Sequence, residues 1–173
     1  MTHTALIVID LQNDYFAGGA YPQWQAQPVT ERILGVIEQA RQRQMPVFLV
    51  QHLADVSAGK APFFNPGSQG AQIHPSVLQA AAGAEVVVKG FADCFEGTNL
   101  DALLQRAGVD RILLCGMMTH NCVTYTALSK AAERYQPVVL ADCTSSVDEM
   151  IHQIALHALS SRVPVLSAEQ ALA

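Results

Sequence analysis

The sequence has few charged residues and no run of basic ones. Lys and Arg together number 10 among 173 residues, against 15 Asp and Glu, which leaves a formal net charge of −5. Proteins that bind nucleic acid or anionic membrane surfaces concentrate Lys and Arg on one face. We therefore expect neither nucleic acid nor a membrane as a partner.

Long hydrophobic runs are also missing. The first apolar run, residues 5–9, stops at Asp10, and no Lys or Arg precedes it. Such a run is too short for a secretory signal and far too short to span a bilayer. The expectation is a cytoplasmic protein that forms one domain over residues 1–173.

Two common cofactor motifs are absent as well. The four cysteines, Cys94, Cys115, Cys122 and Cys143, include no Cys-x-x-Cys pair, so their spacing indicates neither a zinc knuckle nor a dithiol redox motif. The first apolar run leads into Asp10 and not into a Gly-x-Gly-x-x-Gly turn, which argues against a dinucleotide-binding protein.

What is present is a regular alternation of two kinds of apolar segment. Continuous runs typical of buried strands alternate with 3.6-residue spacing typical of helices. The predicted strands cover residues 5–9, 47–50, 86–88, 112–115, 138–140 and 163–166, and the predicted helices cover about 29–40, 75–82, 98–108, 121–134 and 146–159. The alternation predicts an α/β protein, a three-layer α/β/α sandwich around a mostly parallel sheet of about six strands.

Residues 53–85 interrupt this pattern. Gly and Pro punctuate the segment throughout, which predicts a long excursion with little regular structure. Loops of this length are usually functional or disordered. The sequence leaves open whether this one is a lid or an interface.

Three reactive side chains follow predicted strands. Asp10 comes directly after the first strand, Lys89 after the third, and Cys122 shortly after the fourth. Because ligands bind at the carboxyl ends of parallel strands, these residues are expected at one edge of the sheet. Together they would supply a base, an electrostatic activator and a nucleophile. Each also has a plain structural explanation: a cap, a lysine that extends to water, and an inert buried thiol.

Cys122 is the most informative of the three. The predicted helix from about residue 121 places the thiol near the positive end of a helix dipole, which would lower its pKa. The free amides of that first turn could hold an oxyanion.

Four segments resemble the isochorismatase-like cysteine hydrolases. They are residues 10–16 (DLQNDYF), 89–100 (KGFADCFEGTNL), 116–123 (GMMTHNCV) and 142–146 (DCTSS). The resemblance extends over about residues 5–168 and is weakest in the excursion. It implies the isochorismatase-like hydrolase fold and a homo-oligomer, dimer or higher.

The resemblance also implies a set of site residues. Asp10, Lys89 and Cys122 correspond to a catalytic triad, and a cis peptide is expected between Met117 and Met118. The backbone amides of Met118 and Cys122 are expected to form the oxyanion hole. The expected substrate-binding residues are Gln12, Phe16, Thr119 and His120.

One departure from the family pattern argues against a metal and against nicotinamide as the substrate. One branch of the family binds a metal through an Asp-x-His arrangement, but the corresponding segment here reads Gln51-His52-Leu53-Ala54-Asp55. The expectation is a site without metal or cofactor.

The presence of Cys122 favours hydrolysis of a C–N bond in a small molecule, through a thioester. No Arg lies in the four segments, so a small, neutral or weakly polar amide is the expected substrate. Two alternatives remain open from sequence: a vinyl-ether hydrolase of the isochorismatase type, and a non-catalytic binding protein on the same fold.

Overall fold

The computed structural model describes residues 3–173, which form six strands and six α-helices. The strands are β1 (Thr4–Ile9), β2 (Val47–His52), β3 (Glu85–Lys89), β4 (Arg111–Met117), β5 (Val138–Ser145) and β6 (Val165–Leu166). The helices are α1 (Ala26–Gln42), α2 (Pro75–Ala80), α3 (Leu100–Arg106), α4 (Thr124–Ala127), α5 (Glu149–Ser160) and α6 (Ala168–Leu172). Short 3-10 turns cover Asn13–Tyr15 and Ala132–Tyr135, and a π-helical turn covers Thr119–Val123.

The six strands form one parallel sheet in the order β3-β2-β1-β4-β5-β6. The predicted parallel α/β sheet of about six strands is therefore confirmed. β1 lies between β2 and β4, so the ends of three neighbouring strands meet where Asp10 follows β1. β6 contains only two residues after Pro164 and lies at the edge, where a proline is tolerated.

Helices cover both faces of the sheet, which makes the three layers. The side chains of β1 alternate between the two faces, as period-2 geometry requires. Leu6 and Val8 belong to the hydrophobic cluster on the α1 face, whereas Ile7 and Ile9 belong to the cluster on the α3 face. None of the helices within residues 3–173 is long and apolar enough to cross a membrane.

The prediction of one helix over residues 121–134 is wrong, because the structure divides this segment into separate elements. The π-helical turn and α4 end by Leu128, and a separate 3-10 turn follows at Ala132–Tyr135. The hydroxyl of Ser129 accepts a hydrogen bond from the Ala131 amide. Serine side chains compete with the helix for backbone groups in this way, which ends the helix early.

Two helices start later than the sequence predicted. In the segment predicted as a helix over 98–108, Asn99 is the N-cap of α3, and the Thr98 hydroxyl accepts from the Leu100 amide. In the segment predicted over 146–159, Asp148 caps α5, since its carboxylate accepts from the Ile151 amide.

The fifth strand runs further than the sequence predicted. β5 continues past Asp142 to Ser145, because Thr144 and Ser145 resume pairing with β4 after an irregularity. Asp142 therefore does not lie at the carboxyl end of the sheet. Its carboxylate accepts a hydrogen bond from the amide of Ala168 at 2.8 Å.

The excursion of residues 53–85 contains α2 as its regular element and is fastened to the loop after β1. The buried Asp14 carboxylate accepts from the Phe64 amide at 2.8 Å and from the Ala20 amide at 3.1 Å. Gly70 packs directly on this carboxylate, and a Cβ at that position would collide with it. The excursion is therefore held against the edge of the sheet that carries Asp10.

Candidate active site

Asp10 occupies the centre of the carboxyl edge. It follows β1, adopts a left-handed φ of 52° and is 0% exposed. Aspartate is one of the few residue types that tolerate this conformation, which is often retained at functional positions. The bend turns the chain out of the sheet directly after the buried run of β1, so the carboxylate remains among the strand ends.

Lys89 meets Asp10 from the end of β3. The ammonium nitrogen lies 2.9 Å from Asp10 Oδ2, and Lys89 is only 2% exposed. The same nitrogen donates to the Phe91 carbonyl at 3.1 Å and to Cys122 Sγ at 3.3 Å. A buried ammonium is tolerated only when its charge is balanced and its protons are bound. The carboxylate and the surrounding acceptors meet both conditions.

Cys122 lies in the π-helical turn that follows β4. The Met117–Met118 peptide bond is cis, and the Met118 carbonyl accepts from the amides of Asn121 and Val123. The wide turn thus skips the bond that an α-helix would make from the Cys122 amide to that carbonyl. The Met118 amide likewise makes no backbone hydrogen bond among the described residues. Two amides therefore remain available beside the thiol.

Asp10 keeps an open acceptor. Within residues 3–173 its carboxylate oxygens make no hydrogen bond of good geometry, although Oδ2 is at ion-pairing distance from Lys89. A buried acceptor without a donor is unusual and points to a group used in chemistry. Oδ1 is free to accept a proton.

The electrostatics of the three groups are coupled. Burial, followed by the charge of Asp10, raises the pKa of the Cys122 thiol well above its usual value, although Lys89 opposes this. Burial disfavours the Lys89 ammonium, but Asp10 and Cys122 outweigh it and the pKa of Lys89 is raised. Asp10 and Lys89 form an ion pair by their 2.9 Å contact, and the raised pKa of the Cys122 thiol favours its neutral form. The sequence predicted a lowered pKa for Cys122 from a helix dipole, whereas burial and Asp10 raise it.

His52 completes the surroundings of Lys89. It pairs with Lys89 in the β2–β3 register, and its Nδ1 lies 2.9 Å from the ammonium nitrogen. Burial and the neighbouring Lys89 lower the pKa of His52, so the neutral ring accepts the ammonium proton at Nδ1. The Phe64 ring lies tilted against the His52 ring, with ring centroids 6.0 Å apart. The excursion thus forms a wall behind the lysine.

Within residues 3–173, Asp10, His52 and Cys122 form a group that could suit a metal, because each offers a ligand atom within 4.8 Å of the others. The ammonium nitrogen of Lys89 is within 3.3 Å of a ligand atom from each residue. A metal ion would have to displace this buried cation or lie directly beside it. The donor set therefore fits an ammonium better than a metal, and the expectation of a metal-free site stays a prediction.

Two residues predicted to bind substrate have structural hydrogen bonds in this structure, and their contact with a substrate stays a prediction. The Gln12 side chain donates to the carbonyls of His52 and Ala71 at 2.8 and 2.7 Å and accepts from the His52 amide. It is fully buried and ties β2 and the excursion to the loop after Asp10. All of its hydrogen-bonding capacity except one lone pair is used.

Thr119 has a similar supporting position. Its hydroxyl donates to the Ser145 carbonyl at 2.9 Å and accepts from Nδ1 of the buried His152 at 2.9 Å. This arrangement fixes the start of the π-helical turn to β5 and α5. The Thr119 hydroxyl makes no cap hydrogen bond to the Cys122 amide.

The other two predicted substrate-binding residues differ in exposure. His120 is half-buried, and its Nδ1 is hydrogen-bonded to the Ser146 hydroxyl. Phe16 is buried, and its ring lies tilted against the ring of His74 in the excursion, with ring centroids 4.3 Å apart. Their contact with a substrate stays a prediction.

Sequence reasoning missed the side chains that hold the site from behind. Asp14, Ser146 and His152 lie in or beside the predicted segments, but their partners are 26 to 50 residues away in the chain. For His52 a signal existed, since it ends the strand that pairs with β3. That pairing became visible only with the strand order.

Comparison with known proteins agrees with this geometry. A family model described as "Isochorismatase domain" matches residues 4–170. The chain belongs to the isochorismatase family of hydrolases. The family resemblance of the four sequence segments is therefore confirmed.

Relatives of the isochorismatase family match most of the chain. The uncharacterized family protein YddQ of Bacillus subtilis is 34% identical over 83% of this chain and 78% of its own length. A solved structure of a putative isochorismatase hydrolase from Oleispira antarctica has a TM-score of 0.86 and 33% identity, and covers 99% of this chain and 96% of that one. A relative from Escherichia coli K12 named nicotinamidase is 26% identical over 82% of this chain and 83% of its own length.

Proposed function

We propose that the protein hydrolyses a C–N bond of a small amide, with Cys122 as the nucleophile. The observation that carries the proposal is the position of Lys89, whose ammonium lies 2.9 Å from Asp10 and 3.3 Å from Cys122 in a centre that is at most 3% exposed. A buried base and a buried thiol that both contact one cation have the composition of an activated nucleophile. The name of the E. coli nicotinamidase relative, that of an amidase, supports the same chemistry.

The first step moves the thiol proton of Cys122 to Asp10 Oδ1. A thiolate formed by loss of the proton to water would add a third charge to a buried ion pair, and burial opposes this. Transfer within the centre keeps the net charge constant, because Asp10 becomes neutral as the thiolate forms. Lys89 then pairs with the thiolate instead of the carboxylate.

The second step is attack of the thiolate on the amide carbonyl. The C–S bond forms, and the carbonyl electron pair moves to oxygen. The amides of Met118 and Cys122 are positioned to donate to this oxyanion, an interaction whose removal typically costs about 10²–10³ in rate. Collapse of the tetrahedral intermediate breaks the C–N bond, and Asp10 returns its proton to the leaving amine.

The third step releases the acid. Water attacks the thioester on Cys122 while Asp10 accepts a proton from it. The C–S bond breaks, the carboxylic acid leaves, and the proton on Asp10 returns to the thiolate. Each cycle consumes one amide and one water and releases one amine and one acid.

The charge of the centre supports a neutral substrate. Lys89 is its cation, and Asp10 neutralises it. No Arg occurs in the four family segments, and Arg is the residue best suited to hold a substrate carboxylate. A small uncharged amide enters this centre without leaving a charge unpaired.

Release of ammonia from a panel of small amides, neutral and carboxylated, tests the proposal. We expect turnover of at least one neutral amide, and loss of at least about 10³-fold in rate for Cys122→Ala. Cys143→Ala is the matched control, because this thiol is equally buried but belongs to the α1-face cluster; it should remain near wild type.

Three results would contradict parts of the proposal. Activity of Cys122→Ala within about threefold of the control would remove the nucleophile, since losing a nucleophile costs orders of magnitude. Cleavage confined to carboxylated amides would refute the neutral substrate. Inactivity toward every amide, with cleavage of a vinyl ether, would establish the alternative reaction.

A further inference from the structure

A cavity lies at the end of the sheet where the strands begin, opposite the carboxyl end that carries Asp10. It has a volume of about 430 Å³ and opens where β4 begins at Arg111, β5 at Val138 and β6 after Pro164. Small-molecule pockets typically measure about 300–1,000 Å³. The cavity is therefore large enough for a compact organic molecule.

The lining of this cavity combines an apolar wall with two guanidinium groups. The apolar part comes from Leu128 at the end of α4 and from Val138, Val163 and Leu166 near β5 and β6. Arg111 and Arg162 also line the cavity.

One acidic residue, Glu133, lines the cavity as well. Its carboxylate is 2.6 Å from the Lys130 ammonium. Because Glu133 pairs with Lys130, Arg111 and Arg162 have no other carboxylate among the residues that line the cavity to balance their charge.

Arg111 and Arg162 differ from the other arginines in their hydrogen bonding. The chain has seven arginines. Five have side-chain partners: Arg32 with Asp142, Arg41 with Ala80, Arg43 with Leu172, Arg106 with Glu85 and Arg134 with Asp101. Arg111 and Arg162 make no side-chain hydrogen bond or ion pair with residues 3–173. The two arginines without partners thus line the same cavity.

We propose that this cavity binds a small carboxylate with an apolar body. A carboxylate matches the paired N–H donors of a guanidinium, and desolvation by an apolar wall strengthens the contact. The mostly aliphatic wall favours an organic acid over a bare inorganic anion, because the body of the acid removes apolar surface from water.

This site is separate from the proposed catalytic centre, and the inference does not depend on the proposed function. β4 runs from Arg111 at one edge to Met117 at the other, about 20 Å at 3.3 Å per residue. Occupancy of the cavity therefore does not block access to Cys122.

Binding of benzoate, followed by ligand-observed NMR, tests the inference. Benzamide has the same shape without the charge, and inorganic phosphate has the charge without the apolar body. We expect benzoate to bind at least tenfold more tightly than either probe. Arg111→Gln and Arg162→Gln should each weaken benzoate binding about tenfold or more, whereas Arg106→Gln, which removes an arginine elsewhere on the surface, should not.

Three outcomes would overturn the site. They are benzoate binding no tighter than benzamide, phosphate competing as well as benzoate, and unchanged benzoate affinity in both cavity variants. If benzoate bound at the catalytic centre, its affinity would also stay unchanged in both cavity variants, since neither arginine lies there. Circular dichroism of each variant, matched to wild type, assigns a lost affinity to the site and not to unfolding.

Discussion

At the residue scale, the centre is a buried pair of opposite charges beside a neutral thiol. Asp10 and Lys89 have side chains that are 0% exposed and lie 2.9 Å apart. Removing one partner of a buried pair leaves the other charge without compensation, which typically costs about 3–5 kcal/mol. The pair is therefore expected to affect stability as well as activity.

A double-mutant cycle tests this coupling. Asp10→Asn and Lys89→Met should each lower the free energy of unfolding by about 3–5 kcal/mol, because each strands one buried charge. Asn tolerates the left-handed backbone at this position. The double variant should lose clearly less than the sum of the two, and all three should lack amidase activity. Urea unfolding supplies the free energies, and strictly additive losses would contradict the pairing.

At the element scale, the approach of β4 to β1 determines where the Cys122 turn begins. Gly116 has a left-handed φ of 112°, and a Cβ there would lie 2.7 Å from the Ile9 nitrogen and closer still to the Ile9 carbonyl oxygen. The two strands touch at this point, one residue before Asp10. Any side chain at position 116 must push the turn away from the carboxylate.

Gly116→Ala is therefore expected to destabilise the protein by about 1–3 kcal/mol through backbone strain alone, and to lower activity by separating Asp10 from Cys122. Gly35→Ala is the control. Gly35 lies in α1, and a Cβ added there would have nothing within 4 Å, so alanine should stabilise the helix by up to about 1 kcal/mol. Thermal unfolding measures both, and equal effects of the two substitutions would contradict the close approach.

The strands and helices also show which local features the sequence could predict. Continuous apolar runs predicted all six strands, because burial in a parallel sheet imposes such runs, and the Gly and Pro residues of 53–85 predicted the excursion. The apolar pattern was less informative elsewhere. It missed the break at Leu128 and the extension of β5 to Ser145. Both depend on hydrogen bonds or strand pairing that apolar spacing does not encode.

At the scale of the whole molecule, the carboxyl-edge rule predicted correctly that Asp10, Lys89 and Cys122 would meet. That rule depends only on the parallel topology, which the alternation of elements indicates. The supporting duties of Gln12 and Thr119 were not predictable, because their partners come from segments 26 to 59 residues away. The homo-oligomer and the cytoplasmic location stay predictions.

In the proposed mechanism Asp10, Lys89 and Cys122 act as one proton-transfer unit, which exists only in the folded molecule. The most direct test is the pH dependence of Cys122 alkylation by iodoacetamide, with each cysteine monitored by peptide mass spectrometry. Burial and Asp10 raise the pKa of Cys122 and Lys89 lowers it. Asp10→Asn removes one raising cause and keeps the lysine.

The midpoint of Cys122 alkylation should therefore lie above that of a free cysteine, about 8.5, in the wild type. In Asp10→Asn it should fall by about one pH unit or more, the size of a nearby-charge effect. If Asp10→Asn merely opened the pocket, Cys122 would be alkylated faster, but the pH midpoint of its alkylation would not move. A midpoint that stays unchanged or rises in Asp10→Asn would contradict the coupling of Asp10 to Cys122, and with it the proposed mechanism.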